Sequence, residues 1–328
     1  MLAILLLTSF ALVSPTTTSA HGAPLLRLVR TVGERGTGRA QFQGPRHVAA
    51  LKTGGAVIVD GQNERIQVFN RFGECVRMVE GVCTPTGVAI GGPEGDTLYW
   101  AESTNAHKVY RLRLSAKSAK TAAEPNVGLA AVSVRRPWAS RKTALGGLGE
   151  ADGELQDPQD LCLYEEELFV AEWGNHRISV FNKTSLAFLR HIGHGDDEGY
   201  EGGSGPGELD QPCGVAVHAD EVFVCDTWNH RISVFERASG AFLRSFGKRG
   251  REPGEFNYPC GIEIAHGRMY VTERSGKRLQ ALSLEGEPLQ VLPAPSDGWL
   301  YGICLDAHDQ LWVTSSNQHC VHILSVAE

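Results

Sequence analysis

Side chains that can bind or react with a ligand gather at one point of a repeated sequence pattern. In three copies a proline is followed by a variable residue and then by glycine, and a fourth has leucine in place of the proline. The other two copies have His47 and Asp160 in place of the glycine. Together the two positions supply imidazole, carboxylate, guanidinium, amide, thiol and phenol groups, from Arg46, His47, Gln159, Asp160, Cys213, Cys260 and Tyr301. If the copies converge in space, these groups predict a site that binds a protein or a small ligand.

The sequence motifs of common enzyme classes are missing from the chain. It contains no G-x-S-x-G, H-E-x-x-H or phosphate-loop pattern, and no Cys-x-x-Cys pair or Cys/His cluster with the spacing of a zinc module. The 8 cysteines fall mostly in apolar segments, where we expect buried thiols. We therefore assign no catalytic residue, no metal ligand and no cofactor, although Gln159, Asp160 and Glu263 offer oxygen donors for a divalent cation.

A second recurring group is an acidic residue at the end of an apolar segment. It occupies the same place in five copies, as Asp60, Glu102, Glu172, Asp226 and Glu273, with Thr314 or Ser315 in the sixth. A cationic residue follows at the start of the next predicted strand, as Arg65, His107, Arg177, Arg231, Arg278 and His319. Because an acid that recurs in nearly every copy serves something that every copy does, we expect it to accept backbone N–H groups and to pair with the cation.

Internal repetition indicates the architecture that positions these residues. The segment NHRISVF at Asn175–Phe181 recurs at Asn229–Phe235, and AFLR at Ala187–Arg190 recurs at Ala241–Arg244. Relaxed matching gives six copies of about four strands each, which is the size of a β-propeller blade. The sixth copy ends after its third strand, and Leu25 to Val32 is predicted to be a lone strand before the first copy. The predicted fold is therefore all-β, a six-bladed β-propeller of four-stranded blades closed by an N-terminal strand that completes the last blade.

The repeated pattern resembles that of the NHL-repeat β-propellers. Its Pro-x-Gly start, D-x-x-N-x-R turn and G-x-G-x-F-x-x-P linker cover about residues 25–328, and the segments CDTWNHRISVF and AEWGNHRISVF carry the resemblance best. The second and sixth copies are degenerate. The amidating lyases that resemble this architecture hold a channel zinc through three histidines, whereas the predicted channel mouth of this chain offers only His47.

Propellers host both binding modules and enzymes, so the missing catalytic and metal motifs favour a binding function here. We expect a non-enzymatic propeller that acts as a monomeric scaffold, binding a protein or a small ligand on one face. The alternative is a metal-dependent lyase or hydrolase, similar to the amidating lyases or the lactonases, that works in the central channel. A second alternative is a cytoplasmic NHL module that binds RNA or ubiquitination partners.

Composition and the N-terminal segment indicate where the protein acts. The chain has 328 residues and a formal net charge of −7, which makes nucleic acid an unlikely partner. Residues 1–20 are predicted to be a signal peptide cut before His21, and the apolar run Leu2–Val13 is too short to span a membrane. Asn182 lies in the sequon Asn-Lys-Thr and is a predicted glycosylation site. We expect a secreted or endomembrane-lumenal protein, and otherwise a cytoplasmic one.

Two insertions interrupt the repeats. Residues 115–142 are basic and residues 193–207 are acidic and glycine-rich. The basic insertion can serve as a docking arm, but charged runs without periodicity are usually solvated loops. The acidic insertion lacks the ligand spacing of an EF-hand, so the sequence does not predict a calcium site there.

Overall fold

The computed structural model describes residues 25–92, 94–114, 133–134, 143–196 and 201–327. The predicted signal peptide lies outside these residues, as does nearly all of the basic insertion. The regular structure of the described chain consists of β-strands and two single-turn 3-10 helices at Gly61–Asn63 and Pro295–Asp297. None of its helices has the length and apolar character needed to cross a membrane.

Six antiparallel sheets are arranged around a central channel, with the first strand of each sheet innermost. Blades 1 to 3 comprise, from the channel outward, Pro45–Ala50, Ala56–Asp60, Arg65–Phe69 and Cys75–Glu80; Pro85–Gly91, Thr97–Glu102, Lys108–Arg113 and Thr143–Gly146; Pro158–Tyr164, Glu167–Glu172, Arg177–Asn182 and Phe188–Ile192. Blades 4 to 6 comprise Val215–His218, Glu221–Asp226, Arg231–Glu236 and Phe242–Phe246; Pro259–Ala265, Arg268–Glu273, Arg278–Ser283 and Pro288–Pro293; Leu300–Leu305, Gln310–Ser315, Cys320–Val326 and Leu26–Val32. Two short additions are Ser133–Val134, parallel to the outer strand of blade 1, and the pair Glu34–Arg35 with Gln41–Phe42.

Blade 6 is assembled from the two ends of the described chain. The N-terminal strand Leu26–Val32 pairs antiparallel with Cys320–Val326, and Leu26 lies opposite Val326. The Leu26 side chain is buried in a core cluster shared by blades 5 and 6. The predicted six-bladed fold with this mode of closure is therefore confirmed, and the ring has no unpaired gap between its first and last blades.

Apolar residues on both faces of the middle strands hold neighbouring blades together. In blade 3, Leu168 and Val170 face one neighbouring blade and Phe169 and Ala171 face the other, because successive side chains of a strand point to opposite faces. All four side chains are fully buried. The core is therefore a series of clusters between blades, and the continuous apolar runs of the second strands are its sequence signature.

The predicted pairs of acid and arginine form in four blades. The N–O distances are 2.7 Å for Asp60–Arg65, 3.0 Å for Glu172–Arg177, 2.7 Å for Asp226–Arg231 and 2.5 Å for Glu273–Arg278. In blade 4, Asp226 also accepts the Asp210 N–H at 2.8 Å, and Arg231 donates to the Ser204 and Glu208 carbonyls at 2.8 and 2.9 Å. Each pair therefore fastens the loop that precedes its blade onto the blade itself.

The pair expected in blade 2 does not form, and blade 6 has no acid at this position. The Glu102 carboxylate instead accepts the indole N–H of Trp100 at 2.9 Å. In blade 6 the acid position is Ser315, and Cys320 takes the place of the arginine at the start of the third strand. The cation column of the sequence pattern was therefore wrong by one residue at His107 and His319.

These two histidines belong to a different column. Four histidines have a left-handed backbone, with φ between 47° and 56°, and accept an N–H from the loop before the next blade at 3.0 to 3.1 Å: His107, His176, His230 and His319. Sequence matching by charge grouped His107 and His319 with the arginines. The backbone shows that they are the residues that join one blade to the next.

We expect Asp226→Ala to lower the free energy of unfolding by about 3–5 kcal/mol, because it leaves the Arg231 guanidinium without its buried partner and frees the Asp210 N–H. Urea denaturation followed by circular dichroism measures the change. The control is Arg113→Ala, which breaks an exposed ion pair with Asp96 and should leave the denaturation midpoint nearly unchanged. A loss below about 1 kcal/mol for Asp226→Ala would contradict a structural role for the pair.

Candidate functional site at the channel mouth

The glycine column lies where the first strands of adjacent blades approach most closely. A Cβ at Gly214 would lie 2.3 Å from the Cys260 carbonyl oxygen, and one at Gly302 would lie 2.5 Å from the His47 Cα. Larger residues are therefore excluded from these positions. Blades 1 and 3 have room for a side chain at the equivalent positions, and they place His47 and Asp160 there.

His47 and Asp160 form a buried pair across the channel mouth. The His47 Nδ1 and Asp160 Oδ1 atoms are 3.0 Å apart, and His47 is only 3% exposed. Burial alone lowers the pKa of His47, but the Asp160 carboxylate outweighs it and raises this pKa to about 10. The pair ties blade 1 to blade 3.

Both oxygens of Asp160 are engaged. Oδ1 also accepts the Leu161 N–H at 2.8 Å, and Oδ2 accepts the Val215 N–H of blade 4 at 3.2 Å. This carboxylate is therefore fixed in place and sets the orientation of the imidazole ring, so that Nδ1 faces Asp160.

Two thiols lie beside the pair. The Sγ atoms of Cys213 and Cys260 are 2.7 Å apart, and both residues are 2% exposed. Hydrogen bonding to Cys260 and burial raise the pKa of the Cys213 thiol well above its usual range. The His47 Nε2 atom makes no hydrogen bond of good geometry among the described residues, and the neighbouring Cys213 thiol helps to raise the imidazole pKa. We call His47, Asp160, Cys213 and Cys260 the buried cluster.

The remaining predicted residues form a more accessible layer around the buried cluster. Arg46 Nη1 donates to Gln159 Oε1 at 3.3 Å, and the Arg46 guanidinium lies 6.0 Å from the centroid of the Tyr301 ring. All three side chains are partly exposed. The seven predicted residues thus lie at one end of the channel, but in two layers, whereas the sequence pattern placed them together on one open rim.

Sequence reasoning missed a further residue of this layer, Arg274. Its guanidinium lies beside the Tyr301 side chain and 5.0 Å from the centroid of the Tyr258 ring. Trp228 packs edge-on against the same Tyr258 ring, with centroids 5.8 Å apart, and is 46% exposed. Arg274 directly follows the acid of blade 5. The other blades have an uncharged residue at this turn position, and this difference was the sequence signal that could have identified Arg274.

Below the buried cluster the channel holds a cavity of about 320 Å³ that is lined by the first strands. Asp160 and Glu263 are its acidic groups, and Cys162 and Cys304 contribute thiols. Burial, and then the Asp160 charge, raise the pKa of Glu263 from 4.5 to about 8. Gln159 does not line this cavity, so the three oxygen donors considered from the sequence do not form one set.

The structure describes one predicted surface feature in full and another in part. Asn182 ends the third strand of blade 3, and its side-chain oxygen accepts the N–H groups of Thr184 and Ser185 at 3.0 and 2.7 Å in the hairpin turn. In the acidic insertion the Asp196 carboxylate accepts the Glu201 N–H at 3.4 Å, while residues 197–200 lie outside the described chain.

Comparisons with known proteins agree with this architecture. A family described as DUF5128, 6-bladed beta-propeller, matches residues 208–311, which is less than half of the chain. No protein with curated annotation is significantly similar in sequence. The protein is thus a six-bladed β-propeller, and its repeat family is not fixed by these matches.

Solved structures with the same fold differ in what they do. A gluconolactonase from Xanthomonas campestris is 15% identical, with a TM-score of 0.62 and 88% of each chain covered. The virginiamycin B lyase of Staphylococcus aureus is 15% identical, with a TM-score of 0.56, covering 89% of this chain and 82% of that one. The WD40 propeller domain of Doa1 is 14% identical, with a TM-score of 0.59 and 92% and 97% covered. At such identities the likeness concerns the fold alone.

The raised pKa of Glu263 predicts a pH dependence of stability. The folded protein keeps this carboxyl protonated between about pH 4.5 and 8 while the unfolded chain ionises it, so its contribution is full below about pH 4.5 and is lost as the pH rises to about 8. Glu263→Gln should therefore match the wild type near pH 5 and have the higher melting temperature near pH 9.

Thermal unfolding across this pH range measures the difference between the two proteins. Glu285→Gln, which removes an exposed hairpin acid of the same blade, controls for the loss of one negative charge. Parallel profiles for wild type and Glu263→Gln would show that the channel carboxyl is not protonated in the folded protein.

Proposed function

We propose that the protein is an NHL-like binding propeller whose ligand site is the channel-mouth face. The ligand that the chemistry of this face fits best is a small carboxylate, or a chain end bearing one, with a flat apolar group next to the charge. The proposal includes a monomeric, non-enzymatic mode of action.

The observation that carries the proposal is a pair of arginines without an acidic partner. Arg46 and Arg274 approach Tyr301 from neighbouring blades, and among the residues of the described chain no carboxylate lies within ion-pairing distance of either guanidinium. Some other partly buried arginines pair with acids, as in Arg190–Glu167 and Arg244–Glu221, while Arg111 and Arg268 donate to backbone carbonyls. Two convergent, uncompensated guanidinium groups are suited to bidentate recognition of a carboxylate.

Aromatic rings extend the site on one side. Contacts run without a break from Trp228 to Tyr258, Arg274, Tyr301 and Arg46, across blades 4, 5, 6 and 1. Exposed aromatic surface next to cations stacks with flat ligands and is enriched at interfaces. This row therefore supports a ligand with an aromatic or otherwise planar group beside its carboxylate.

A second candidate function is a metal-dependent lyase or hydrolase acting in the channel. The buried His47–Asp160 pair supports it, because an imidazole oriented by a carboxylate is a common element of both acid–base and metal chemistry. The structural neighbours include enzymes and a WD40 domain, so they support neither candidate over the other.

The third function considered from the sequence, binding of RNA or ubiquitination partners in the cytoplasm, has less support. Its main feature, the basic insertion, lies almost entirely outside the described residues. We propose instead that the protein is exported, with residues 1–20 as signal peptide and Asn182 as glycosylation site.

We expect aromatic carboxylates such as benzoate, phenylacetate and indole-3-acetate to raise the melting temperature, while the matching neutral amides do not. Arg46→Ala and Arg274→Ala should each weaken binding about 10- to 100-fold, because each removes a charged hydrogen bond worth about 1.5–3 kcal/mol. Titration calorimetry gives the dissociation constants.

Arg27→Ala is the matched control, since this arginine is exposed on the outermost strand of blade 6 and should leave binding unchanged. The carboxylate site would be refuted if acids and amides raised the melting temperature equally, or if Arg46→Ala and Arg274→Ala both left the affinity unchanged.

For export, we expect mature protein from a eukaryotic secretory host to begin near His21 and to carry a glycan removable by an N-glycosidase. Thr184→Ala is a better test than changing Asn182, because the Asn182 oxygen caps the hairpin turn. Retention in the cytoplasm with the first 20 residues intact would contradict the proposal.

A further inference from the structure

We propose that His47, Cys213 and Cys260 form a binding site for a thiophilic divalent metal ion, best suited to zinc, with Asp160 as the positioning residue for the imidazole. This site is separate from the carboxylate site, because the two arginines need no metal to bind an anion. No motif spacing in the sequence indicates it, since its donors come from blades 1, 4 and 5.

The donor atoms are already gathered. One ligand atom from each of His47, Cys213 and Cys260 lies within 4.8 Å of the other two, and all three residues are buried. Two thiolates and an imidazole form a ligand set that zinc favours, with bonds of about 2.3 Å to sulfur and 2.0–2.1 Å to nitrogen. A single ion between them can reach all three after only small side-chain movements.

The imidazole is prepared for such an ion. Its Nδ1 atom is held by Asp160 at 3.0 Å, and its buried Nε2 atom lacks a hydrogen-bond partner among the residues described. A buried polar atom without a partner is costly and needs an explanation. An ion at Nε2 supplies the partner, and a carboxylate that orients a metal-binding histidine through its other nitrogen is the usual arrangement around zinc.

Asp160 is not itself a ligand in this site. Its two oxygens accept hydrogen bonds from Leu161 and Val215 as well as facing His47, so none is free to turn toward the thiols. Three protein donors leave one position of a tetrahedral ion for a water molecule or another exogenous ligand. On binding, the two thiols and the imidazole lose their protons to solvent as two metal–sulfur bonds and one metal–nitrogen bond form.

The competing explanation of the thiol pair is a disulfide bond between blades 4 and 5. Both thiols are free in the structure, and their sulfur atoms lie 2.7 Å apart. A disulfide would join them but would leave Nε2 of His47 buried without a partner, and it gives no reason for an oriented histidine beside the sulfurs. The metal site accounts for all four residues of the buried cluster.

The first experiment measures metal in full-length protein produced without an affinity tag. We expect about one zinc per chain by elemental mass spectrometry, and cobalt reconstitution of chelator-treated protein should give a thiolate-to-cobalt charge-transfer band in the near ultraviolet. Intact-mass analysis after denaturing alkylation reports whether Cys213 and Cys260 are reduced. This measurement on the wild type does not depend on how well any variant folds.

Variants then assign the ligands. Cys213→Ser, Cys260→Ser and His47→Ala should each lose the bound metal and the cobalt band, whereas Asp160→Asn should keep the band with affinity reduced about 10- to 100-fold. Cys304→Ser is the matched control, because Cys304 is an equally buried thiol of the channel outside the cluster. Circular dichroism confirms that each variant is folded.

Three results would overturn the proposal: metal-free protein with free thiols, a Cys213–Cys260 disulfide without metal, or bound metal that survives both cysteine substitutions. Binding of the aromatic carboxylates is measured separately on the same proteins. The two experiments can therefore show a carboxylate site without a metal site, or a metal site without a carboxylate site.

Discussion

The buried carboxylate–arginine pair is the interaction on which the candidate site depends. In blades 1, 3, 4 and 5 it holds the loop whose end becomes the start of the innermost strand, as Asp226 and Arg231 do by binding the loop before Cys213. These four blades are the ones that supply the buried cluster, whose members are His47, Asp160, Cys213 and Cys260. Blades 2 and 6, which lack the pair, supply none of it. Each side chain of the buried cluster therefore follows a loop with fixed ends. Such anchoring is required in a site that must hold its atoms within fractions of an ångström.

The two layers of the channel mouth differ in what they can exchange with solvent. Arg46, Arg274 and Tyr301 are partly exposed and can take up a ligand directly, while the residues of the buried cluster beneath them are at most 9% exposed. A charged ligand bound between the arginines would lie over the thiols and the imidazole. The two candidate sites are therefore neighbours at one end of the channel.

The fold was predictable from the sequence because repetition supplies many copies of one weak signal, and even the closing strand could be assigned from a missing fourth strand. The candidate site was predictable only in part. The breaks in the glycine column located His47 and Asp160, since only two blades leave space for a side chain there. The depth of each residue was not predictable. A side chain at the start of an innermost strand can join either the buried cluster or the accessible layer, and the twist of the neighbouring blades decides which. Arg274 was missed because it belongs to a turn. The histidines of blades 2 and 6 were misassigned because they were matched to the arginines by charge, whereas the left-handed backbone defines their column.

The pairing of Leu26–Val32 with Cys320–Val326 also sets an order for folding. The first strand of the described chain is the last to find its partner, because that partner is synthesised at the other end of the described chain. Five blades can form in sequence while this strand stays unpaired, and the ring becomes cooperative only when the final blade appears. Closure across such a sequence separation is slow, since loop-closure entropy opposes it until the contacts form. During that interval the nascent protein exposes one free β-edge at each end, and it is then that pairing with another copy competes with closure of its own ring.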